Sequence, residues 1–354
     1  MNFLFLTKSD WNEPPRIRRQ LSDLLLSYGH SIIFHQKPKF LVCRAPVVAS
    51  EKLTLVKTAY LIHHQLRLNW FLRNLNAIYE KLMIKYFGQK VDENVVVINF
   101  NYDYTFIRSL FPKNKIITII NDDFVLQARF NNGNHVIESQ KITCAASDVV
   151  LAVSCSLVSS LCSYKATNLF LPWSIESYKK PKKRSSSQKS ILIWGYIDSR
   201  IDDFFLKEII AMHPTYDFLI VGPICKNFLP LIKKIQCQSV NLKILGVRKL
   251  SELPLETIVC SLVPYKLDSP FGDTVTMLNK GFQLLAEGLP LIIRGMPNFI
   301  KSECIFDVLD NNSFSRSLNY IDNNFNLLQT AVSRLVEQNS AEKRYQEFMN
   351  YVEG

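Results

Sequence analysis

The stretch NKGFQLLAEGLPLII, from Asn279 to Ile293, has the pattern of a short helix followed by a turn and a buried strand. Its apolar residues recur at helical spacing up to Gly288, which predicts a helix end, and an uninterrupted apolar run follows. Lys280 stands in the first turn of this predicted helix. Because the N–H groups and the positive end of a helix dipole point outward at its start, a lysine there predicts a phosphate site. The alternative is an ordinary helix-turn-strand unit without a ligand.

The rest of the chain alternates short apolar runs with amphipathic stretches, which is typical of a parallel sheet with crossover helices. Buried strands are predicted over residues 3–7, 31–36, 95–99, 116–120, 149–153, 191–196, 217–222, 242–245, 257–263 and 289–293. Helices are predicted over residues 16–28, 137–146, 202–212, 227–235 and 276–287. This alternation predicts an α/β fold of two Rossmann-like, doubly wound domains with an interdomain cleft at the carboxyl ends of the strands.

One stretch, residues 178–190, is rich in lysine, serine and proline and almost free of apolar side chains. Such a composition is typical of a linker. We therefore predict an N-terminal domain over residues 1–177 and a C-terminal domain over residues 191–338. Residues 339–354 are predicted to form a helix that crosses back to the N-terminal domain.

The chain has 354 residues, of which 47% are hydrophobic, and this is enough for two cores. Its formal net charge of +11 predicts an anionic partner, and nucleic acid, nucleotide-sugars and phospholipid head groups all fit that requirement. A non-enzymatic nucleic-acid-binding protein is therefore one interpretation, although no recognised binding motif accompanies the charge. The sequence contains neither a P-loop motif nor a G-x-S-x-G motif, so a P-loop NTPase and a serine hydrolase have no support.

The spacing of cysteines and histidines gives no sign of a metal site or a disulfide framework. The eight cysteines form no C-x-x-C pair, which predicts reduced, mostly buried thiols. The six histidines show no H-E-x-x-H or similar spacing, so no metal is predicted. Neither a signal-peptide pattern nor an uncharged apolar run of about 18 residues occurs, and we expect a cytoplasmic protein that is neither secreted nor membrane-spanning.

Motifs at several points of the sequence form one larger pattern. The Lys280 stretch matches K-x-F-x-x-x-A-x-G-x-P. Further landmarks are Gly195 followed by Arg200-Ile201-Asp202, Val221-Gly222-Pro223, Asn241 to Gly246, Leu253-Pro254, Val263-Pro264-Tyr265 and, near the N-terminus, Trp11, Pro15 to Leu21 and Gly29-His30. Together they resemble the motifs of GT-B glycosyltransferases over most of the chain, with general similarity to glycosyltransferase families 4 and 1. The resemblance implies an N-terminal acceptor domain, a C-terminal domain for a nucleoside diphosphate sugar, and catalysis without a metal or other cofactor.

Two positions depart from the retaining members of these families, which usually carry glutamates eight residues apart. This chain has Gln283 and Val275 there. The K-x-x-Q pattern, with Tyr265 upstream, resembles instead glycosyltransferase family 70, the family of the inverting glucuronosyltransferase of xanthan assembly. That resemblance implies inverting transfer and contacts of Tyr265, Lys280 and Gln283 with UDP, since a glutamine can hydrogen-bond ribose or phosphate without adding negative charge. A retaining transferase with a degenerate pair of glutamates, and a scaffold that has lost catalysis, are the alternatives.

Two further residues are candidates for donor binding. Gly195 lets the backbone approach a diphosphate closely, although a plain turn glycine is an equal alternative. Asn279 stands next to Lys280 at the predicted helix start. Arg200 is expected to pair with Asp202 and to shape the loop after Gly195, which is a structural and not a catalytic role. The predicted donor site therefore consists of Gly195, Tyr265, Asn279, Lys280 and Gln283.

Inverting transfer requires a base near the attacking hydroxyl group. Asp122 and Asp123 directly follow the predicted strand 116–120, and carboxylates at the carboxyl end of such a strand face the ligand cleft. Two adjacent carboxylates also raise the pKa of one of them, which suits a base. The alternative is that one aspartate caps the next helix while the other is solvated.

Trp11, Arg16 and Arg18 are candidates for the acceptor side, because this first loop and helix start is expected to face the cleft. The arginines could bind a lipid-linked pyrophosphate, although a solvated basic face is the commoner arrangement. The segment from Leu53 to Phe87 combines large apolar and basic residues, which indicates either an interfacial helix on an anionic membrane or a helix pair packed on its own sheet. The resemblance to these glycosyltransferases implies a role in bacterial surface-glycan assembly, such as capsule or exopolysaccharide, and peripheral attachment at the inner face of the cell membrane.

Overall fold

A computed structural model describes residues 1–13, 16–41, 44–63, 66, 69–87, 91–128, 132–181 and 188–354. The chain divides into two compact units: unit 1 is Met1–Leu171 with Arg344–Gly354, and unit 2 is Pro172–Lys343. The division falls ahead of the predicted linker. Residues 182–187 of that linker lie outside the described residues, and so does Pro15 of the first motif.

Unit 1 contains an eight-stranded sheet and a small two-stranded sheet. Its strands are β1 (Asn2–Leu6), β2 (Ser31–His35), β3 (Lys39–Phe40), β4 (Arg44–Ser50), β5 (Leu53–Lys57), β6 (Ala59–Tyr60), β7 (Val96–Asn99), β8 (Ile116–Ile120), β9 (Val149–Ala152) and β10 (Thr167–Leu169). Its helices are α1 (Ile17–Ser27), α2 (Trp70–Phe87), α3 (Ile107–Leu110), α4 (Gly133–Ala145), α5 (Cys155–Leu161) and α11 (Ala341–Glu353), whose first residues lie before the unit boundary. The order of the large sheet is β10-β9-β8-β7-β1-β2-β5-β4.

The large sheet of unit 1 is parallel except at its β4 edge, where β4 pairs antiparallel with β5. Every residue of β7 and β8 is buried, as expected where helices cover both faces of a parallel sheet. Strand β1 lies between β2 and β7, so the order of strands reverses at the β1–β7 boundary. Helix α11 closes the core, since Phe348 packs against both Phe3 and Phe170.

The segment predicted as an interfacial helix is helical only in its second part. Leu53–Lys57 and Ala59–Tyr60 are strands, and the helix is Trp70–Phe87. The reason is that Leu53 and Val56 are buried beside β2, so this part of the segment supplies sheet core and not a surface helix. His64, Arg67 and Leu68 lie outside the described residues.

Unit 2 contains a six-stranded sheet whose paired strands are all parallel. Its strands are β11 (Lys189–Trp194), β12 (Tyr216–Val221), β13 (Leu242–Gly246), β14 (Ile258–Pro264), β15 (Leu291–Arg294) and β16 (Ile305–Asp307). Its helices are α6 (Asp203–Met212), α7 (Leu229–Gln238), α8 (Pro270–Asp273), α9 (Asn279–Ala286) and α10 (Asn311–Gln338). The sheet order β13-β12-β11-β14-β15-β16 is the Rossmann order, and it reverses between β11 and β14.

The cysteines differ from the expectation of mostly buried thiols. Cys144, Cys260 and Cys304 are buried, Cys225 is half-buried, and three are exposed: Cys155, Cys162 and Cys237. The exposed ones lie on or beside helix surfaces, where a single small apolar residue costs little. Cys43 lies outside the described residues.

Within the described ranges, no helix is long and apolar enough to cross a membrane. The same ranges contain no group of three or more His, Cys, Asp and Glu side chains with the geometry of a metal site.

Candidate functional site

The carboxyl ends of β11 and β14 lie at the point where the strand order of unit 2 reverses, which is where doubly wound sheets bind ligands. Strand β11 ends at Trp194, and Gly195 follows with a φ of 120°, a conformation that L side chains rarely adopt. Gly222 occupies the matching position after β12, and a Cβ there would lie 2.0 Å from the Gly195 carbonyl oxygen. Gly222 must therefore be glycine for the Gly195 turn to have this shape.

The first turn of helix α9 lies against the Gly195 turn. Phe282, Leu284 and Leu285 are fully buried and fix the helix against the sheet. Lys280, on the opposite side of the first turn, donates a hydrogen bond from Nζ to the Trp194 carbonyl oxygen at 2.8 Å. Its Nζ would lie 3.3 Å from a Cβ at Gly195, so a side chain at that position would press against the lysine.

The ammonium group of Lys280 is held in an unfavourable environment. Burial and, to a smaller extent, the nearby Arg200 lower its pKa to about 8, and Asp198 partly opposes these two effects. A charge kept at a desolvated position without a carboxylate partner is stabilised by any anion that binds beside it. The helix start and this ammonium group together form an anion-binding position.

Tyr265 and the Asp198–Arg200 pair form the other side of the turn. Arg200 donates from Nε to Asp198 at 2.9 and 3.1 Å, and its guanidinium carbon lies 5.3 Å from the centre of the Tyr265 ring. Tyr265 is only 4% exposed, and burial raises the pKa of its hydroxyl group. The Tyr265 ring packs against the Arg200 guanidinium group and has little free surface for a nucleoside.

The sequence suggested that Arg200 pairs with Asp202, and this pairing is wrong. Asp202 accepts a hydrogen bond from the Phe205 N–H at 2.9 Å and caps helix α6. Its other oxygen accepts a hydrogen bond from Arg294 Nη1 at 2.7 Å. The two acidic residues of the loop therefore have separate roles, since Asp198 holds Arg200 and Asp202 holds the end of β15 through Arg294.

Asn279 and Gln283 lie on the same short helix as Lys280 and are both half-buried. Gln283 follows Lys280 by three residues, so the two side chains share one face of the helix. The structure thus brings Gly195, Lys280 and Tyr265 to the reversal point of the sheet, with Asn279 and Gln283 flanking the lysine.

A second candidate site lies in unit 1, also at a reversal point of its sheet. A cavity of about 310 Å³, here called the Asp122 cavity, opens where β1, β7 and β8 end. Its walls include Lys8, Arg16, Arg18, Phe100, Tyr102 and Asp122. Lys8 is paired with Asp103, so Arg16 and Arg18 face the single carboxylate of Asp122, a charge balance that favours an anionic group in the ligand.

The two adjacent aspartates have different environments. Asp123 accepts a hydrogen bond from the Leu126 N–H at 2.8 Å and so caps the turn that follows β8. Asp122 lines the cavity, accepts a hydrogen bond from the Gln127 amide at 3.0 Å, and has a raised pKa. The main cause of the raised pKa is burial and the Asp123 charge adds little, contrary to the expectation that their adjacency would dominate. Of the two, Asp122 is the one whose side chain lines the cavity.

Arg18 is only 7% exposed and forms part of the wall of this cavity. The alternative of a solvated basic face therefore does not apply to it. It donates hydrogen bonds to the Ser9 hydroxyl group and, at 3.2 Å, to Asn121 Oδ1. Burial lowers its pKa. The sequence did not single out Asn121 as its partner, although Asn121 stands directly before the two aspartates.

Trp11 and Arg16 are placed differently from each other. Arg16 is exposed at the start of α1 and reaches the cavity wall. Trp11 packs edge-on against Phe34, and the guanidinium carbon of Arg19 lies 3.6 Å from its ring centre. Trp11 thus anchors the first loop and is separate from the residues that line the Asp122 cavity.

Two Rossmann-like units, one with the β13-β12-β11-β14-β15-β16 order and an anion-binding helix start, define the GT-B fold. Solved structures agree. A sucrose-phosphate synthase from Thermosynechococcus elongatus matches with a TM-score of 0.72 at 13% identity. The match covers 99% of this chain and 98% of the synthase chain. An α,α-trehalose-phosphate synthase (UDP-forming) from Burkholderia xenovorans, in complex with glucose-6-phosphate, has a TM-score of 0.67 at 10% identity with both chains fully covered. Anabaena HepE, in complex with UDP and glucose, has a TM-score of 0.62 at 12% identity and covers 100% and 99% of the two chains.

No protein-family profile matches the sequence, and no curated protein matches it either. The likeness at this low identity establishes the fold.

Proposed function

We propose that this chain is a glycosyltransferase that moves a sugar from a UDP donor to a lipid-linked or oligosaccharide acceptor by inverting, metal-independent chemistry. The observation that carries the proposal is the Lys280 ammonium group, which is desolvated at the start of α9 and touches the end of β11 at the reversal point of the sheet. Structural neighbours that bind UDP and glucose, or form UDP, support a nucleotide-sugar donor. No nucleic acid is needed to account for the positive charge.

In this proposal, unit 2 binds the donor. The diphosphate binds to the Lys280 ammonium group and the first N–H groups of α9, while Gly195 leaves room for it. Asn279 and Gln283 hydrogen-bond the phosphate or ribose without adding negative charge. Because Lys280 neutralises the leaving diphosphate, a metal ion is not required for this role.

Unit 1 supplies the acceptor side. Asp122 accepts the proton of the attacking hydroxyl group, the oxygen bonds to the anomeric carbon, and the bond from that carbon to the UDP oxygen breaks. The raised pKa of Asp122 suits a base that must take a proton near neutral pH. Arg16 and Arg18 favour an acceptor that carries a phosphate or pyrophosphate, such as a lipid-linked intermediate.

A retaining mechanism is the competing interpretation, since the fold accommodates both outcomes. Gln283 and Val275 in place of glutamates favour inversion through the resemblance to glycosyltransferase family 70. The donor sugar in that case is a hexose or glucuronic acid. The anomeric configuration of the product, read by NMR, decides between the two mechanisms.

Attachment to an anionic membrane surface is supported by helix α2. Phe71, Leu75, Ile78, Leu82 and Tyr86 form one exposed apolar stripe at helical spacing, with exposures from 40% to 71%. Lys81 and Lys85 lie on the same helix. An apolar stripe with flanking lysines fits the head-group region of a bilayer. Structural neighbours named for lipopolysaccharide biosynthesis support a surface-glycan product such as a capsule or exopolysaccharide.

The test is thermal unfolding of the intact protein with UDP, UDP-glucose, UDP-glucuronic acid and a single-stranded oligonucleotide, each measured once with EDTA and once with Mg²⁺. UDP at a hundred times its dissociation constant should stabilise the protein by about 2.7 kcal/mol. Stabilisation by the oligonucleotide alone would identify a nucleic-acid-binding protein, and stabilisation by UDP that requires a metal would remove the metal-independent mechanism.

A further inference from the structure

A second cavity lies beside the Asp122 cavity, between helices α2 and α4, and it has a volume of about 130 Å³. We call it the α2–α4 cavity. Tyr102, Asn132 and Val136 line both cavities, so the two adjoin along one wall. Lys8 on the Asp122 side and Asp103 on the other side form an ion pair with an Nζ–Oδ1 distance of 2.6 Å. A ligand bound at Asp122 therefore has a neighbouring compartment for its next portion.

The α2–α4 cavity is richer in carboxylates than its neighbour. Glu80, Asp103 and Glu138 contribute three, of which Asp103 pairs with Lys8 and Glu138 pairs with Arg73 at 3.5 Å. Because these carboxylates hold Lys8 and Arg73, the wall attracts phosphates and uronic acids less than the Asp122 cavity does. Carboxylates and amides that face a cavity accept and donate hydrogen bonds to hydroxyl groups, which are the abundant polar groups of a neutral sugar.

Asn132 points to a ligand independently of this charge. Its side chain is only 8% exposed, and its Oδ1 atom is buried without a hydrogen bond partner within the described part of the chain. It stands at the start of α4, but its side chain does not cap that helix. A buried acceptor without a partner costs about 1–3 kcal/mol, so a residue with no structural bond calls for a ligand that supplies the donor.

We propose that the α2–α4 cavity is a subsite for a neutral hexopyranose of the acceptor, the sugar next to the one whose hydroxyl group attacks, and that Asn132 Oδ1 receives one of its hydroxyl groups. The assignment of this sugar to an acceptor rests on the proposed glycosyltransferase function. The sugar subsite itself rests on the shared wall, the carboxylate-rich surface and the unpaired amide oxygen.

The experiment is saturation-transfer NMR on the intact protein without any donor. The probes are the methyl glycosides of glucose, galactose, mannose and N-acetylglucosamine, with methyl glucuronide as the charged comparison. At least one neutral glycoside should bind, and the glucuronide should bind more weakly. Asn132→Ala should weaken the bound neutral glycoside roughly tenfold, by loss of one hydrogen bond from a site that excludes water.

The matched control is Thr143→Val. Thr143 lies on the same helix, is fully buried and has an unpaired Oγ1 atom, but it does not line either cavity. It should leave sugar binding unchanged, and both variants should unfold at or above the wild-type temperature because each loses an unpaired buried oxygen. Failure of all four neutral glycosides to bind, equal binding by Asn132→Ala, or preference for the glucuronide would overturn the subsite. Since no donor is present, failure of UDP to bind would overturn the proposed function and leave this result standing.

Discussion

Lys280 is the residue on which the proposed donor site depends. Its ammonium group has one backbone carbonyl oxygen at 2.8 Å and a pKa lowered to about 8 by burial. Replacing the carbonyl contact with a diphosphate contact turns an unfavourable burial into a charge-assisted interaction.

Lys280→Ala should therefore weaken UDP binding by about 1.5–3 kcal/mol, the value of a hydrogen bond to a charged group. Isothermal titration calorimetry measures this directly. The matched control is Lys207→Ala, which removes an exposed lysine of helix α6 in the same unit. Equal UDP affinity in the wild type and in the Lys280 variant would remove the donor-site assignment.

The lowered pKa of Lys280 also sets a pH dependence. Its ordinary pKa is 10.5 and its folded value is about 8, so the penalty for the buried charge is complete below pH 8 and disappears between these two values. Stability of unit 2 therefore rises with pH across that window. UDP binding requires the charged form, so its affinity should fall about fivefold from pH 8 to pH 9 as that form is lost. Calorimetry in buffers of different ionisation enthalpy should detect proton uptake near pH 8, and the Lys280→Ala variant should show neither effect.

Asp122 and Asp123 provide a paired test of the base. Asp122→Asn should lower transfer by about 10²–10⁴-fold while UDP affinity is unchanged, because the amide cannot accept the proton. Asp123→Asn should keep most of the activity, since the amide oxygen can still accept the Leu126 N–H bond. Transfer and UDP affinity are measured on the same preparations. Full activity in the Asp122 variant would exclude it as the base.

At the scale of single residues, the sequence identified the residues of the candidate sites but not their hydrogen-bond partners. It paired Arg200 with the nearby Asp202, whereas Asp202 binds Arg294, which is 92 positions further along the chain. For Arg18 the alternative of a solvated basic face fails, because the side chain is buried and hydrogen-bonded to Ser9 and Asn121. Both outcomes have one physical cause: the partner of a charged group is chosen by tertiary packing, and sequence proximity reveals only neighbours along the chain.

Among the elements, the glycine turns after β11 and β12 are the most constrained. Gly222 has a φ of 135° and would clash with the Gly195 carbonyl oxygen, whereas Gly246, after β13, has a φ of 71° and open space around its Cβ position. Both glycines have a positive φ, which other residues rarely adopt. They differ because backbone atoms crowd the Cβ position of Gly222 and not that of Gly246.

Gly246→Ala should cost about 1–2 kcal/mol for the left-handed conformation alone. Gly222→Ala should cost about 2–5 kcal/mol, because overpacking adds to the same strain, and it should weaken UDP binding by displacing the Gly195 turn. Thermal unfolding and UDP titration of both variants give the comparison. Similar losses in the two variants would contradict the importance of the close contact.

The predictability of the elements follows burial. Strands β7 and β8 are entirely buried and, apart from Asn99 and Thr118, apolar, and the sequence predicted both nearly to the residue. Strand β4 escaped prediction because all seven of its residues are exposed, so it has neither an apolar run nor an alternating pattern. Helix α9 was predicted to begin earlier, near residue 276, and begins at Asn279 because Thr276 and Met277 are buried in the preceding loop.

On the scale of the whole molecule, the alternation of strands and helices was sufficient to predict two α/β domains, since that pattern leaves few other folds. The order of strands was not predictable, because it depends on which β-strands pair and not on their individual composition. The reversal points of the two sheets, and hence the sites, became visible only with the pairing.

The net charge of +11 and the apolar stripe of α2 together predict binding of the intact protein to anionic membranes. Sedimentation should show binding to phosphatidylcholine vesicles that contain phosphatidylglycerol, weaker binding without it, and weakening by salt. Replacing Phe71, Ile78 and Tyr86 with serine should weaken binding at least about tenfold, since each loses about 1.5–3 kcal/mol of apolar burial.

The control for this experiment replaces three equally exposed apolar residues of unit 2 with serine. They are Phe204, Val240 and Leu327, with exposures of 67%, 100% and 69%. This variant should bind vesicles like the wild type. An equal loss of vesicle binding in both variants would indicate nonspecific hydrophobic binding and would exclude α2 as the membrane contact.

The division of the chain also has a consequence for its synthesis. Unit 2 is one uninterrupted stretch, Pro172–Lys343, set between the two segments that form unit 1. A ribosome makes Met1–Leu171 before unit 2, but Phe348, which packs against Phe3 and Phe170, follows unit 2 in the chain. The unit that is begun first is therefore the one completed last, and until then its exposed aromatic surface is the part of the nascent chain most in need of a chaperone.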